Sequence, residues 1–142
     1  MKNLLILTLV VVLALIAFAT PVAASPPVTA SGHYEFAGSD FCDGVTLSGT
    51  FTGSLVPLPN PTNPDFCGRS SRSEADAWQF TGTVAGVGSG TLMWNIVYIR
   101  PNGAGHWTII AGGEGDLANV RGQGTFTFTT GGAYEGQLYI AP

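Results

Sequence analysis

Asp76 is the carboxylate in this chain that best suits catalysis. Counted in steps of two along a strand, Asp76 falls on the same face as Trp78 and Phe80. A carboxylate beside a large aromatic ring is partly desolvated, and such a group can act as a general acid or base. The simpler interpretation places Asp76 at the solvated end of the strand or in an ion pair with Arg72 or Arg100, which is the commoner role of such residues.

An unusually large aromatic set suits binding more than catalysis. Aromatic side chains either fill the interior of a small barrel or line a cavity that holds one small apolar ligand. The members of the set are Trp78, Phe80, Trp94, Tyr98, Trp107, Phe126 and Phe128. We predict that Asp76, Trp78 and Phe80 line one wall of an interior site, with Trp94 or Tyr98 on the neighbouring strand.

The other reactive residues lack the spacing of known sites. The chain has two histidines, His33 and His106, which are not spaced as a zinc pair. The Gly-Glu-Gly-Asp run at residues 113–116 is followed by a strand pattern, whereas a phosphate-binding turn needs a helix there. No serine lies in a Gly-x-Ser-x-Gly elbow. The sequence therefore predicts no metal site and no cofactor.

Cys42 and Cys67 are the two cysteines of the chain. Outside the cytosol, an even number of cysteines is typical of a disulfide. Neither cysteine has a Cys-x-x-Cys neighbour or a nearby histidine, as a redox or metal pair would need. We predict a structural bridge that closes a loop of about 25 residues and contributes roughly 3 kcal/mol.

The N-terminal segment has the three parts of a secretory signal peptide. Lys2 supplies a positive start, residues 4–18 are almost unbroken aliphatic sequence, and Val22, Ala23 and Ala24 supply small residues for cleavage. The apolar run is shorter than the roughly 20 residues of a spanning helix, and no basic cluster follows it. We predict a signal peptide over residues 1–24 and a secreted or extracytoplasmic single domain over residues 25–142, with no membrane span after cleavage.

The charge balance argues against nucleic acid as a partner. The chain has nine acidic and five basic residues, which gives a formal net charge of −4. No lysine follows Lys2, and the remaining cations are Arg69, Arg72, Arg100 and Arg121. Because phosphate backbones are held by clusters of basic side chains, this composition predicts no nucleic-acid binding.

The elements that position these residues have the periodicity of strands. Apolar residues and glycines alternate with hydroxyl residues from Val45 to Val56, which predicts one half-buried strand. Residues 78–84, 124–129 and 136–140 repeat the alternation, and no segment after residue 25 has a helical period. Seven or eight short antiparallel strands on one core give either a sandwich or a closed barrel, and periodicity alone leaves both open.

Two stretches resemble a known family. They are residues 80–92, which begin Phe-Thr-Gly-Thr-Val-Ala-Gly, and residues 107–124, which contain Gly-x-Gly-x-Leu-x-x-x-x-Gly-x-Gly from Gly113 to Gly124. The second resembles the signature of bacterial uncharacterised proteins with the allene oxide cyclase barrel and, more distantly, plant allene oxide cyclases and dirigent proteins. The resemblance runs from about Trp78 to Ile140. It implies an eight-stranded antiparallel barrel, calycin-like in form, and leaves the activity undefined.

The glycine-rich signature also has a structural interpretation. Its glycines would let the chain fold tightly between two strands, with Leu117 and Val120 tucked beneath. We predict that Gly115 and Gly122 adopt backbone conformations that cost energy for residues with a side chain.

Three functions fit these observations. The first is a secreted barrel that binds a small apolar or aromatic ligand. The second is a cofactor-free cyclase, isomerase or dirigent-like enzyme, which the sequence supports less because it shows no pair of inward carboxylates. The third is a structural or interaction module of the cell envelope. A solvent-reaching cavity above about 300 Å³ favours the first two, and a filled interior favours the third.

Overall fold

Eight antiparallel strands form one closed barrel. A computed structural model of the protein describes residues 26–39, 43–59, 74–99, 103–127 and 132–141. The strands are β1 (Val28–Phe36), β2 (Val45–Gly49), β3 (Phe51–Pro57), β4 (Glu74–Val84), β5 (Gly88–Ile99), β6 (Ala104–Gly115), β7 (Val120–Thr127) and β8 (Ala133–Ile140). Each pairs with the next, and β1 also pairs with β8. The barrel is confirmed and the sandwich is not observed.

Some sequence predictions concern residues that the structure does not describe. Residues 1–24, Cys42, Cys67, Phe128 and most of residues 57–68, a segment that contains four prolines, lie outside the described part of the chain, so the signal peptide and the disulfide stay predictions. In the part that is described, no helix is long and apolar enough to cross a membrane.

The prediction of one strand from Val45 to Val56 is wrong. The chain reverses between β2 and β3, with Gly49 at a φ of 102° and Thr50 between the strands. Val45 pairs with Leu55, so residues with the same parity face each other across the hairpin. Because the alternation stays in phase through this reversal, the periodicity could not reveal it.

Glycines make room for the aromatic rings inside the barrel. Trp107 pairs with Gly124, which pairs with Gly136, so one indole lies beside two glycines on successive strands. A Cβ at either glycine would overlap Cζ2 of that indole. The same relation holds between Phe126 and its pair Gly105, where a Cβ would overlap the phenyl ring. A barrel of eight strands can hold such large rings only where the opposing positions are small.

The turn between β6 and β7 closes one end of the barrel. Leu117 and Val120 are fully buried, as predicted from the glycine-rich signature. Gly115 has a φ of +68°, which confirms its predicted conformation, and Asp116 accepts a 3.1 Å hydrogen bond from the backbone N–H of Ser89. The conformation predicted for Gly122 is wrong, since Gly122 is not among the positive-φ glycines. Gly122 is needed for space instead.

Gly122→Val is expected to destabilise the protein by about 1 to 3 kcal/mol, because overpacking a filled core has this cost. A Cβ at Gly122 would lie 2.6 Å from the carbonyl oxygen of Gln137 and 2.6 Å from Cδ2 of Leu138. Urea unfolding measures the loss. The control is Gln123→Val at the exposed neighbouring position, which should stay within about 0.5 kcal/mol of wild type. Equal stability of both variants would contradict the close approach.

The two ends of the barrel differ in their connections. Short turns at Thr50, residues 85–87 and residues 116–119 join strands at the closed end. At the other end, which we call the loop end, strands finish at Phe36, Pro57, Ile99 and Thr127, and the two longest connections, residues 37–44 and 58–73, follow Phe36 and Pro57. Loops carry function more often than the scaffold that holds them, so the loop end is the place to search for a site.

Candidate functional site

An apolar cavity lies inside the barrel near the loop end. We call it the mouth cavity, and seven of the eight strands contribute its lining, which is Tyr34, Val45, Leu47, Leu55, Trp94, Ile96, Trp107, Phe126 and Tyr134. Its volume is about 20 Å³. That is room for about one water molecule and far below the 300 to 1,000 Å³ of pockets that enclose drug-sized ligands.

Stacked aromatic rings limit the depth of the mouth cavity. The rings of Trp94 and Trp107 stack at 4.9 Å between centroids with an interplanar angle of 29°. Phe51 packs edge-on against both of them, at 4.9 and 5.9 Å, and also contacts Phe80 and Tyr134. Offset-stacked and edge-to-face pairs are the favoured arrangements of aromatic rings. The interior on the closed-end side of these rings is therefore a packed core.

Most polar atoms of the lining are already engaged. The Tyr34 hydroxyl donates to the carbonyl oxygen of Thr127, and the indole N–H of Trp107 donates to the carbonyl oxygen of Thr125 at 3.3 Å. The Tyr134 hydroxyl donates to the carbonyl oxygen of Ser48 and accepts from the N–H of Phe51, each at 3.0 Å. Burial raises the pKa of Tyr134, and hydrogen bonds to the backbone of Phe51 and Thr50 partly oppose that shift.

Trp94 is different from these neighbours. Its side chain is only 2% exposed, and its indole nitrogen has no hydrogen-bond partner among the described residues. A buried donor without an acceptor is rare in native proteins, and each case calls for an explanation. Trp94 also lines the mouth cavity, but through carbon atoms of its ring, since the surface of the cavity is wholly apolar.

The structure separates the five predicted site residues into two groups. Trp78, Phe80 and Trp94 are buried inside the barrel, and Trp78 pairs with Trp94 on the neighbouring strand. Of these three, Trp94 lines the mouth cavity, whereas Trp78 and Phe80 belong to the packed core. Asp76 pairs with Ile96, and Tyr98 pairs with Gly105, which places both backbones at the loop end. The side chains of Asp76 and Tyr98 lie outside the described part of the structure.

Sequence reasoning missed most of the lining, namely Tyr34, Val45, Leu47, Leu55, Ile96 and Tyr134. Each has the inward parity of its strand, so the alternation did carry a signal for burial. The alternation does not show where along the barrel axis each residue lies. That position depends on strand register and on where the long connections are.

The mouth cavity presents a wholly apolar surface. In the described ranges, no three His, Cys, Asp or Glu residues lie close enough together to hold a metal ion. His33 and His106 are exposed on the outside of the barrel. No known protein family, curated protein or solved structure matches this chain.

Proposed function

We propose that this protein binds a small apolar or aromatic molecule at the mouth cavity. The observation that carries the proposal is the apolar lining at the end of the barrel where the long connections meet. Mouths of β-barrels are common ligand sites, and apolar walls with few polar groups are typical of them. Since the cavity measures about 20 Å³, a small group of the ligand enters it and the rest lies across the loop end.

The cavity is far smaller than the roughly 300 Å³ that would favour an enclosed ligand, so the filled interior favours the interaction module over a ligand held inside the barrel, and the binding that we propose is confined to the mouth. A cyclase or isomerase that resembles the allene oxide cyclase barrel would enclose a polyunsaturated chain, which needs several hundred Å³. Trp94, Trp107 and Phe51 fill the space where such a chain would lie. We therefore favour a binding protein over a barrel enzyme. Asp76 stays a proposed site residue through its backbone position opposite Ile96.

A second candidate function rests on the filled core and the outer surface. Hydroxyl side chains form a row across four strands of the outer face, where Thr46 pairs with Ser54, Ser54 with Thr81, and Thr81 with Thr91. All four side chains are at least partly exposed. We propose, as the alternative, an interaction module of the cell envelope that uses such uncharged polar surface. Export by the predicted signal peptide would suit either function.

Leu47→Ala tests the mouth cavity as the binding site. Wild type is expected to bind a naphthalene-sized fluorescent probe at micromolar levels, about −8 kcal/mol, with quenching of tryptophan emission. Removing the Leu47 side chain enlarges the cavity, so the probe should bind about fivefold or more tightly. Titration followed by tryptophan emission measures both affinities, and the probe should raise the melting temperature because it selects the folded state.

Leu92→Ala is the matched control. Leu92 is fully buried at the closed end and does not line the mouth cavity. Both variants should lose about 2 to 5 kcal/mol of stability, as buried leucine truncations do. A naphthalene ring cannot reach the sealed space left by Leu92, so the probe affinity should equal that of wild type. If the probe binds none of the three proteins, the interaction module is the better proposal.

A further inference from the structure

Three adjoining depressions form a groove on the outside of the barrel. The groove crosses four neighbouring strands, β6, β7, β8 and β1, and we call it the outer groove. The depressions measure about 590, 320 and 340 Å³, and sites for small ligands span about 300 to 1,000 Å³. The first and third share Thr125 and Glu135, and the second and third share Gly124 and Gln137, so the three are continuous.

Two rows of polar side chains line the outer groove. Strand pairing places the members of each row next to one another, so each row crosses all four strands. The first row is Thr108, Gln123, Gln137 and Thr29, and the second is His106, Thr125, Glu135 and Ser31. All eight residues are exposed. Because neighbouring strands lie roughly 4.8 Å apart, each row is about 14 Å long and suits an elongated ligand.

The rows have hydrogen-bonding capacity that the protein does not use. Amides and hydroxyls both donate and accept, whereas a carboxylate only accepts. Within the described ranges, the side chains of Gln123, Gln137 and Glu135 make no hydrogen bond to another residue. No lysine or arginine lines the groove, so an anionic ligand would find no cationic partner there. The barrel is closed, so an extended peptide has no strand edge to join.

We propose that the outer groove binds an uncharged oligosaccharide. Sugar hydroxyls donate and accept, as do the amide and hydroxyl side chains of the two rows. Tyr139 lies two residues beyond Gln137 on the same face of β8 and is 45% exposed, so its ring offers an apolar surface to the C–H groups of a sugar.

The groove favours binding of the sugar without cleavage. Most glycosidases act with two carboxylates, and the lining of the outer groove contains one, Glu135. This inference goes beyond the ligand that we propose for the mouth cavity and does not depend on it.

Electrophoresis in native gels that contain a polysaccharide tests the ligand class. Galactomannan and hydroxyethylcellulose are uncharged, whereas alginate carries a carboxylate on each sugar. At least one of the two uncharged polymers is expected to retard the wild-type protein, and alginate is not. In ¹H–¹⁵N spectra, the hexasaccharide of the retarding polymer, mannohexaose or cellohexaose, should shift the side-chain amide signals of Gln123 and Gln137.

Gln137→Ala locates the site, and Gln79→Ala is its matched control. Gln79 also faces outward, but it lies on β4, four strands from β8 around the barrel. Gln137→Ala should weaken binding of the hexasaccharide about fivefold or more, because it removes a hydrogen-bonding group from the middle of a row. Gln79→Ala should bind like wild type. The wild-type amide spectra test the same placement even if one variant fails to fold.

The outcomes separate this inference from the function proposed for the mouth cavity. Absence of retardation by both uncharged polymers overturns the outer groove as a sugar site, and so does equal retardation by alginate. Equal weakening by Gln137→Ala and Gln79→Ala, or competition between the hexasaccharide and the naphthalene-sized probe, would place the sugar elsewhere and also overturn it. Failure of the probe to bind, with sugar binding retained, contradicts only the mouth cavity.

Discussion

Gly124→Ala is expected to destabilise the protein by about 3 kcal/mol or more, at the upper end of the cost of overpacking a core. A Cβ at Gly124 would overlap both the carbonyl oxygen of Glu135 and the indole of Trp107. The carbonyl belongs to the paired strand β8, so moving it would disturb the sheet. The indole is stacked on Trp94, so moving it would disturb the core. Chemical denaturation or the melting temperature measures the loss.

Gly86→Ala is the matched control for this prediction. Gly86 lies in the turn between β4 and β5 with a φ of +76°, and a Cβ there meets nothing within 4 Å. Its substitution should cost only the backbone strain of a left-handed alanine, about 1 kcal/mol. A Gly124→Ala protein as stable as Gly86→Ala would show that the ring and the strand have room to move, which contradicts the tight packing of Trp107.

Tyr134→Phe is expected to cost about 2 to 4 kcal/mol. The Tyr134 hydroxyl reaches from β8 to the reversal between β2 and β3, where it bonds the N–H of Phe51 and the carbonyl oxygen of Ser48. Phenylalanine preserves the ring but leaves both backbone groups without this partner. Each buried polar group that loses its hydrogen bond costs about 1 to 3 kcal/mol. Tyr139→Phe, at an exposed position on the same strand, is the control and should be nearly neutral.

The contribution of Tyr134 should also depend on pH in the alkaline range. Burial raises the pKa of the folded-state phenol above its ordinary value of 10.0. Between the ordinary pKa and the raised one, the unfolded chain has lost the phenolic proton and the folded protein retains it, so rising pH favours unfolding. The stabilisation is complete below the ordinary value and is lost as pH rises through the folded pKa. The stability difference between wild type and Tyr134→Phe should therefore narrow above pH 10.

An unchanged difference between the two proteins from pH 8 to pH 11 would contradict the burial of this phenol. A Tyr134→Phe protein as stable as Tyr139→Phe would contradict the role of the hydroxyl at the reversal. The two measurements are independent. The pH dependence reports the ionisation of the Tyr134 phenol, and the comparison with Tyr139→Phe reports the loss of its hydrogen bonds.

The sequence by itself determined the all-β class and, for the strands it identified, the face that each side chain occupies. Side chains alternate across a strand with a period of two, so Trp78, Phe80 and Phe126 could be assigned to the interior from parity alone. The resemblance of the glycine-rich signature implied the barrel, and the burial of Leu117 and Val120 followed from the same motif. These features depend on neighbours close in the chain, which is the information that periodicity and short motifs contain.

Only the tertiary structure decided which inward residues belong to the packed core and which line the mouth cavity. Trp78 and Trp94 have the same parity and pair directly, yet Trp94 lines the mouth cavity and Trp78 lies in the core. Their difference depends on the register of all eight strands and on which glycine faces which ring, as Gly124 faces Trp107. The chain reversal at Thr50 was likewise decided only by the tertiary structure, because an alternation that stays in phase through a turn does not reveal the turn. Register and closure join residues far apart in the chain, so a pattern read along the chain does not contain them.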